Sequence, residues 1–238
     1  MLLTTATAIF GFEIPITQLF TYGAGVFVVI FALPSIISLL RQRGIFLGLL
    51  LFLLLAGISL AFETFAVKTG VPYGKYAYDA VLGNKILDAA PWTIGIAYPI
   101  LLLGAFWLAS KITDGFFRPL LTAIFTVVTT VVLDPAAVKL ELWKWEHAGP
   151  VFGVPYTHFI GWFAAGIAGA WLIQAFWGDK SVKRGLGFSG AMMVWFWTGV
   201  NIGISQWIPA AAGLAISILM FVIMIWERRA DKPPKKES

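Results

Sequence analysis

The stretch IFLGLLLFLLLAGISLAFETFA, residues 45–66, holds a single ionisable side chain, Glu63, in 22 residues. As an α-helix it would be about 33 Å long, close to the roughly 30 Å hydrocarbon core of a bilayer. It shows no strand-like alternation of apolar and polar residues. In lipid every backbone polar group needs an internal partner, so such a run predicts a helix and not a barrel strand. This run decides the fold class: an all-α integral membrane protein.

Six further apolar runs extend the reading. One precedes it, from Ile16 to Leu40, ended by Arg41 and Arg43, with Pro34 expected to kink it. After a polar loop over Lys68 to Ala90, Pro91 opens a third span that ends near Ser110. Arg118 and Pro119 open a fourth, running to Leu133 and Asp134, where Pro135 is expected to interrupt the helix. A second polar loop, Pro135 to Pro155, is rich in Trp and charge. Spans five to seven are read at Tyr156 to Trp177, Leu186 to Gln206 and Trp207 to Trp226. The expected organisation is one transmembrane domain over 1–227 and a basic cytoplasmic tail over 228–238. Glycines in the fifth and sixth spans (Gly161, Gly166, Gly169, Gly190, Gly199, Gly203) are expected to allow close helix contacts.

Charge tests this layout. With alternating spans, one side holds Arg41, Arg43, Lys111, Arg118, Lys180, Lys183, Arg184, Arg228, Arg229, Lys232, Lys235 and Lys236, which is 12 of the 17 Lys and Arg. The other side holds Lys68, Lys75, Lys85, Lys139 and Lys144. The bias predicts an outer N-terminus, a cytoplasmic C-terminus and about seven spans in the cell membrane. The net charge of +5 therefore reads as a topology signal, with membrane lipids and not nucleic acid as the partner. The composition agrees: 59% of residues are hydrophobic and only 12% charged, against about 25% charged in soluble domains. Cysteine is absent, which excludes disulfides, thiolate catalysis and Cys-based metal sites. Met1 to Phe12 has no Lys or Arg, so no secretory signal is expected.

Chemistry is expected where polar groups lie at membrane depth, because burying them there is costly. Asp134 would lie about 24 Å along the fourth helix from Arg118. It reads either as a site carboxylate or as the residue that ends the helix at the interface. Glu63 would lie at similar depth on the same side. It reads either as a second site carboxylate or as an interfacial acid paired with Lys68. Two converging carboxylates suit acid–base work, since a carboxylic acid in a dry pocket holds its proton and can donate it. Around them the outer loops carry Tyr73, Tyr76, Tyr78, Trp92, Trp143, Trp145, Tyr156 and Trp162. These form either an interfacial belt or the wall of a polyene pocket whose π faces stabilise a cation. His147 and His158 lie on the same side, without HxxxH or HxxE spacing, so no metal site is expected. Asn201, in the sixth span, reads as helix–helix glue or as a polar contact to substrate.

Some chemistries lack their residues. The seventh span has no Lys for a retinal Schiff base, no DDxxD-like pair is present, and there is no Walker A or Rossmann glycine pattern. No inverted repeat is visible.

The stretch Glu63-Thr-Phe-Ala-Val-Lys-Thr-Gly70-Val-Pro72-Tyr-Gly74-Lys-Tyr76-Ala-Tyr78, with Gly83 and Pro91-Trp92, resembles the membrane carotenoid-biosynthesis family that includes the CruF-type carotenoid 1,2-hydratases. A second stretch does too: Leu133-Asp134-Pro135, Trp143, Trp145, Gly149, Gly153-Val-Pro155-Tyr156 and Gly161-Trp162. Where the family pattern carries an Asn ahead of the Gly-Trp pair, this chain reads Thr157-His158-Phe159-Ile160. The resemblance covers Glu63 to Trp162. It implies cofactor-free addition of water across the terminal C1–C2 double bond of an acyclic carotenoid, C40 or C50, some members acting on bacterioruberin precursors. The resemblance assigns no catalytic roles; from the residues themselves Asp134 is the expected proton donor, with Glu63 as the alternative acid or as the base that directs water. Tyr76, Tyr78, Trp92, Trp143, Trp145, His147, His158, Trp162 and Asn201 are the expected contacts to a lipophilic polyene. A carotenoid cyclase or elongase, and a non-enzymatic carotenoid-binding or transport protein, are the competing readings. The sequence leaves the oligomeric state open.

Overall fold

A computed structural model describes residues 16–178 and 180–230. The N-terminal fifteen residues and most of the expected tail, including Lys232, Lys235 and Lys236, lie outside the described residues. Among the described residues seven α-helices run α1 (Ile16–Arg43), α2 (Ile45–Thr69), α3 (Ile94–Ala109), α4 (Phe117–Lys139), α5 (Tyr156–Trp177), α6 (Phe188–Gly203) and α7 (Trp207–Ala230). α1, α2, α4, α5 and α7 are long and apolar enough to cross a bilayer, which makes the chain a multi-pass membrane protein.

α3 is the hub. Its 16 residues are apolar all round and nearly all buried, and it packs against α1, α2, α4, α5 and α6. A helix without a polar stripe has no face to give to water. The outer helices turn large apolar side chains outward instead, as with Phe46 at 77% exposure on α2 and Phe221 at 63% on α7. Such faces suit lipid. Gly104 of α3 and Gly190 of α6 meet backbone to backbone, where a Cβ on either would lie 3.0 Å from the other's Cα. Gly161, Gly166 and Gly169 also face close neighbours, whereas Gly199 and Gly203 have open space and are not contact glycines.

Several boundaries differ from the sequence reading. Among them, α3 begins at Ile94, after Pro91 in a short strand, and α6 ends at Gly203. α4 continues through Pro135 to Lys139. The proline removes one ladder donor, but polar side chains bond the carbonyls around it: Asn201 Nδ2 donates to Val132 O at 2.8 Å and Gln206 Nε2 to Pro135 O at 3.0 Å. The helix is bridged rather than broken, and Asp134 sits inside it. α7 likewise continues through Arg228 and Arg229, where cations suit a helix C-terminus. α6 begins at Phe188, after a 3-10 turn over Arg184–Gly187.

Two long connections meet at one end of the bundle. β1 (Tyr76–Tyr78), from the α2–α3 connection, pairs antiparallel with β4 (Trp143–Trp145), from the α4–α5 connection. The register sets Tyr76 opposite Trp145 and Tyr78 opposite Trp143. A second small ribbon joins β2 (Lys85–Ile86) and β3 (Ala90–Pro91) just before α3.

Candidate active site

The β1–β4 ribbon delivers the site's aromatic side chains. Alternation along β1 turns Tyr76 and Tyr78 inward and Ala77 outward. Both phenols reach Glu63 of α2, which is 3% exposed and lies about 27 Å along its helix from Ile45. Tyr78 donates to Glu63 Oε2 at 2.6 Å, and Tyr76 donates to the same oxygen. Burial first, and the Glu63 carboxylate next, push both phenols above the ordinary tyrosine pKa, so both stay protonated donors. Lys68 makes no ion pair with Glu63, so the interfacial-pair reading does not hold.

Asp134 is 1% exposed on α4, and its Oδ2 lies 2.9 Å from Nε2 of His158, in the first turn of α5. The imidazole sits in an aromatic box, with ring centroids 4.9 Å from Trp145, 5.1 Å from Tyr73 and 5.8 Å from Trp162. Tyr73 reaches the imidazole because Gly161 leaves room: a Cβ there would lie 2.1 Å from the Tyr73 ring. Trp145 stacks on Tyr76 at 5.6 Å and fixes the turn by donating from Nε1 to Tyr73 O at 2.9 Å. Trp145 touches both Tyr76, which holds Glu63, and His158, which meets Asp134, so the two carboxylates belong to one cluster. Among the described residues neither has a Lys or Arg partner.

Beside the cluster lies a cavity of about 90 Å3, on the order of three waters' worth of space. Asp134, His158, Tyr76, Tyr78, Trp143 and Trp162 line it, together with Tyr98 and Trp197. Five polar atoms on these walls are buried without a protein partner: His158 Nδ1, Tyr98 OH and the indole Nε1 of Trp143, Trp162 and Trp197. Buried polar atoms are normally paired, so five on one cavity mark a place built to receive something that bonds to them.

The structure thus brings together Asp134, Glu63, Tyr76, Tyr78, Trp143, Trp145, His158 and Trp162. Three expected contacts fall elsewhere. His147 is exposed beyond β4. Trp92 packs on Gly25 and Gly83, outside the cavity lining. Asn201 ties α6 to α4, donating to Val132 O and Trp197 O, both at 2.8 Å, and does not line the cavity. Tyr98 and Trp197 were missed. Tyr98 carried a readable signal, a hydroxyl within an apolar span, while Trp197 looked like any lipid-belt indole.

The sequence profile of the carotenoid biosynthesis protein family matches residues 23–220. The chain belongs to that family. Every residue of the cluster and the cavity lies within the matched interval. It is 27% identical over 184 residues to the bisanhydrobacterioruberin hydratase of Haloarcula japonica, an overlap of 73% of this chain and 61% of that protein. The chain therefore spans less than two thirds of that relative's length. No solved structure matches it.

Proposed function

We propose that this chain is a carotenoid hydratase, adding one water across the terminal C1–C2 double bond of an acyclic carotenoid, C40 or C50, without a cofactor. The carrying observation is the Asp134–His158 pair at a buried cavity whose walls present unpartnered polar groups. The family and the name of the Haloarcula japonica relative support the same substrate class and reaction.

The reaction needs a proton at C2, a tertiary cation at C1, and water to capture that cation. Asp134, sharing a proton with His158, delivers it to C2. The faces of Trp143, Trp162 and Trp197 stabilise the cation as it forms. Tyr98 OH and His158 Nδ1 hold the water, which attacks C1 and returns a proton to the pair. One C=C bond is lost and one C–H and one C–O bond are gained, with no net change in protons on the protein. Glu63 acts through its neighbours: it clamps Tyr76 and Tyr78 and so fixes the cavity wall. An apolar cavity of about 160 Å3 shares Leu101 with this one and offers the adjoining polyene a path between α3, α4, α6 and α7.

The same reading makes all seven helices spans over 1–227, with the N-terminus outside and the C-terminus cytoplasmic. α3 and α6, 16 residues each, reach only about 24 Å. The burial of α3 within the bundle and the ribbon caps supply the rest of the thickness.

Expression in cells that make lycopene or a C50 precursor tests the proposal. A product heavier than its precursor by one water is expected, and Glu63→Gln and Asp134→Asn should each suppress it. A new product of unchanged mass would mean a cyclase, and unmodified pigment copurifying with the protein would mean a binding protein; either overturns the proposal.

A further inference from the structure

At the end of the bundle away from the carboxylates, a pocket of about 780 Å3 lies between the C-terminal turn of α1 and the α5–α6 connection. Arg41, Arg43, Lys180, Lys183 and Arg184 line it, and among the described residues no Asp or Glu does. Arg41, Lys180 and Lys183 make no ion pair among the described residues. Arg41, Lys180 and Lys183 put positive charge on one concavity, and like charges repel one another there.

The pocket is also built. Arg43 is held from behind, with Nη2 donating to Phe176 O and the guanidinium 5.4 Å from the centroid of the Trp177 ring. That leaves its Nε and Nη1 buried without a protein partner. The far wall is pinned to α1 by Lys183 N donating to Gln42 Oε1 at 2.9 Å and Ser35 Oγ donating to Leu186 O at 2.7 Å. One edge is apolar, where Ile37 (43% exposed) and Phe188 (40% exposed) run from the pocket onto the lipid-facing side.

We propose that this pocket binds a phosphate group, supplied in the membrane by the headgroup of an anionic phospholipid. A guanidinium with two free nitrogens matches phosphate oxygens, and the lysines add charge. Ile37 and Phe188 give the acyl chains a surface to follow. The location fits the side on which the positive-inside rule places basic residues and anionic lipid. This site is separate from the proposed hydratase chemistry and stands without it.

The test uses the full chain in detergent, stripped of lipid, with thermal stability and native mass spectrometry as readouts. The probes are phosphatidylglycerol, phosphatidylcholine and inorganic phosphate. Phosphatidylglycerol should raise the melting temperature and remain bound, while phosphatidylcholine should do neither. Lys180→Gln and Lys183→Gln are both on exposed side chains, and each should weaken binding by about five-fold. Lys144→Gln, at the opposite end, should leave binding unchanged. Protection by inorganic phosphate that the two lysine variants lose would support the phosphate site and assign it to a soluble anion. Equal protection by phosphatidylcholine, or binding unchanged in both lysine variants, would overturn the proposal.

Discussion

Both ends of this bundle bury charged side chains, and they do it in opposite ways. At the basic end Arg118 and Lys111 each have a carboxylate partner. Arg118, 2% exposed, pairs with Asp114, and Lys111 lies 2.5 Å from Glu227, which also accepts from Trp107 Nε1 at 3.0 Å. At the ribbon end, among the described residues, the carboxylates meet no Lys or Arg: Glu63 is met by two phenols and Asp134 by an imidazole. A carboxylate facing a guanidinium is fixed in its charged form and serves structure. One facing a phenol or imidazole keeps a proton within reach, and that proton is available for chemistry. Residue type alone does not separate the two ends; the partner does.

Four variants break this comparison, from large effect to small. Asp134→Asn keeps the shape and removes the acid, so hydration in pigment-producing cells should fall about 100- to 10,000-fold with the protein still folded. Tyr76→Phe with Tyr78→Phe strips both described donors from Glu63. An unsatisfied buried acceptor costs about 1–3 kcal/mol, more when charged, read as a lower melting temperature in detergent. Gly161→Ala drives a Cβ into the Tyr73 ring, and overpacking of this kind costs about 1–3 kcal/mol. Because Tyr73 walls His158, product yield should drop with stability. Lys111→Met at the basic end should cost about 1 kcal/mol, since the pair is partly exposed, and should leave the product unchanged.

Much of this contrast was legible in the sequence. The α5 boundaries, the depth of Glu63 and Asp134 and the clustering of aromatics toward one end follow from hydropathy and spacing. What escaped was pairing across distance. β1 and β4 are three residues each, too short for alternation to announce them, and they meet only because the bundle brings two connections together. The Asp134–His158 contact joins two helices, and no periodicity encodes it. His158 falls in the short segment that departs from the family pattern, and it is expected only as a contact to substrate, not as the partner of Asp134. Pro135 reads as a helix stop until Asn201 and Gln206 are seen bonding the carbonyls around it. Trp92 and His147 share the composition of their neighbours but not their orientation, which the chain alone does not state.

The central claim is that water is added at the Asp134–His158 pair. Pigment-producing cells expressing the chain in oxygen-18 water give the direct measurement. The account predicts a product that carries one labelled oxygen on its end group, and its disappearance in Asp134→Asn at equal protein level. A product without the label, or undiminished labelling in that variant, would contradict it.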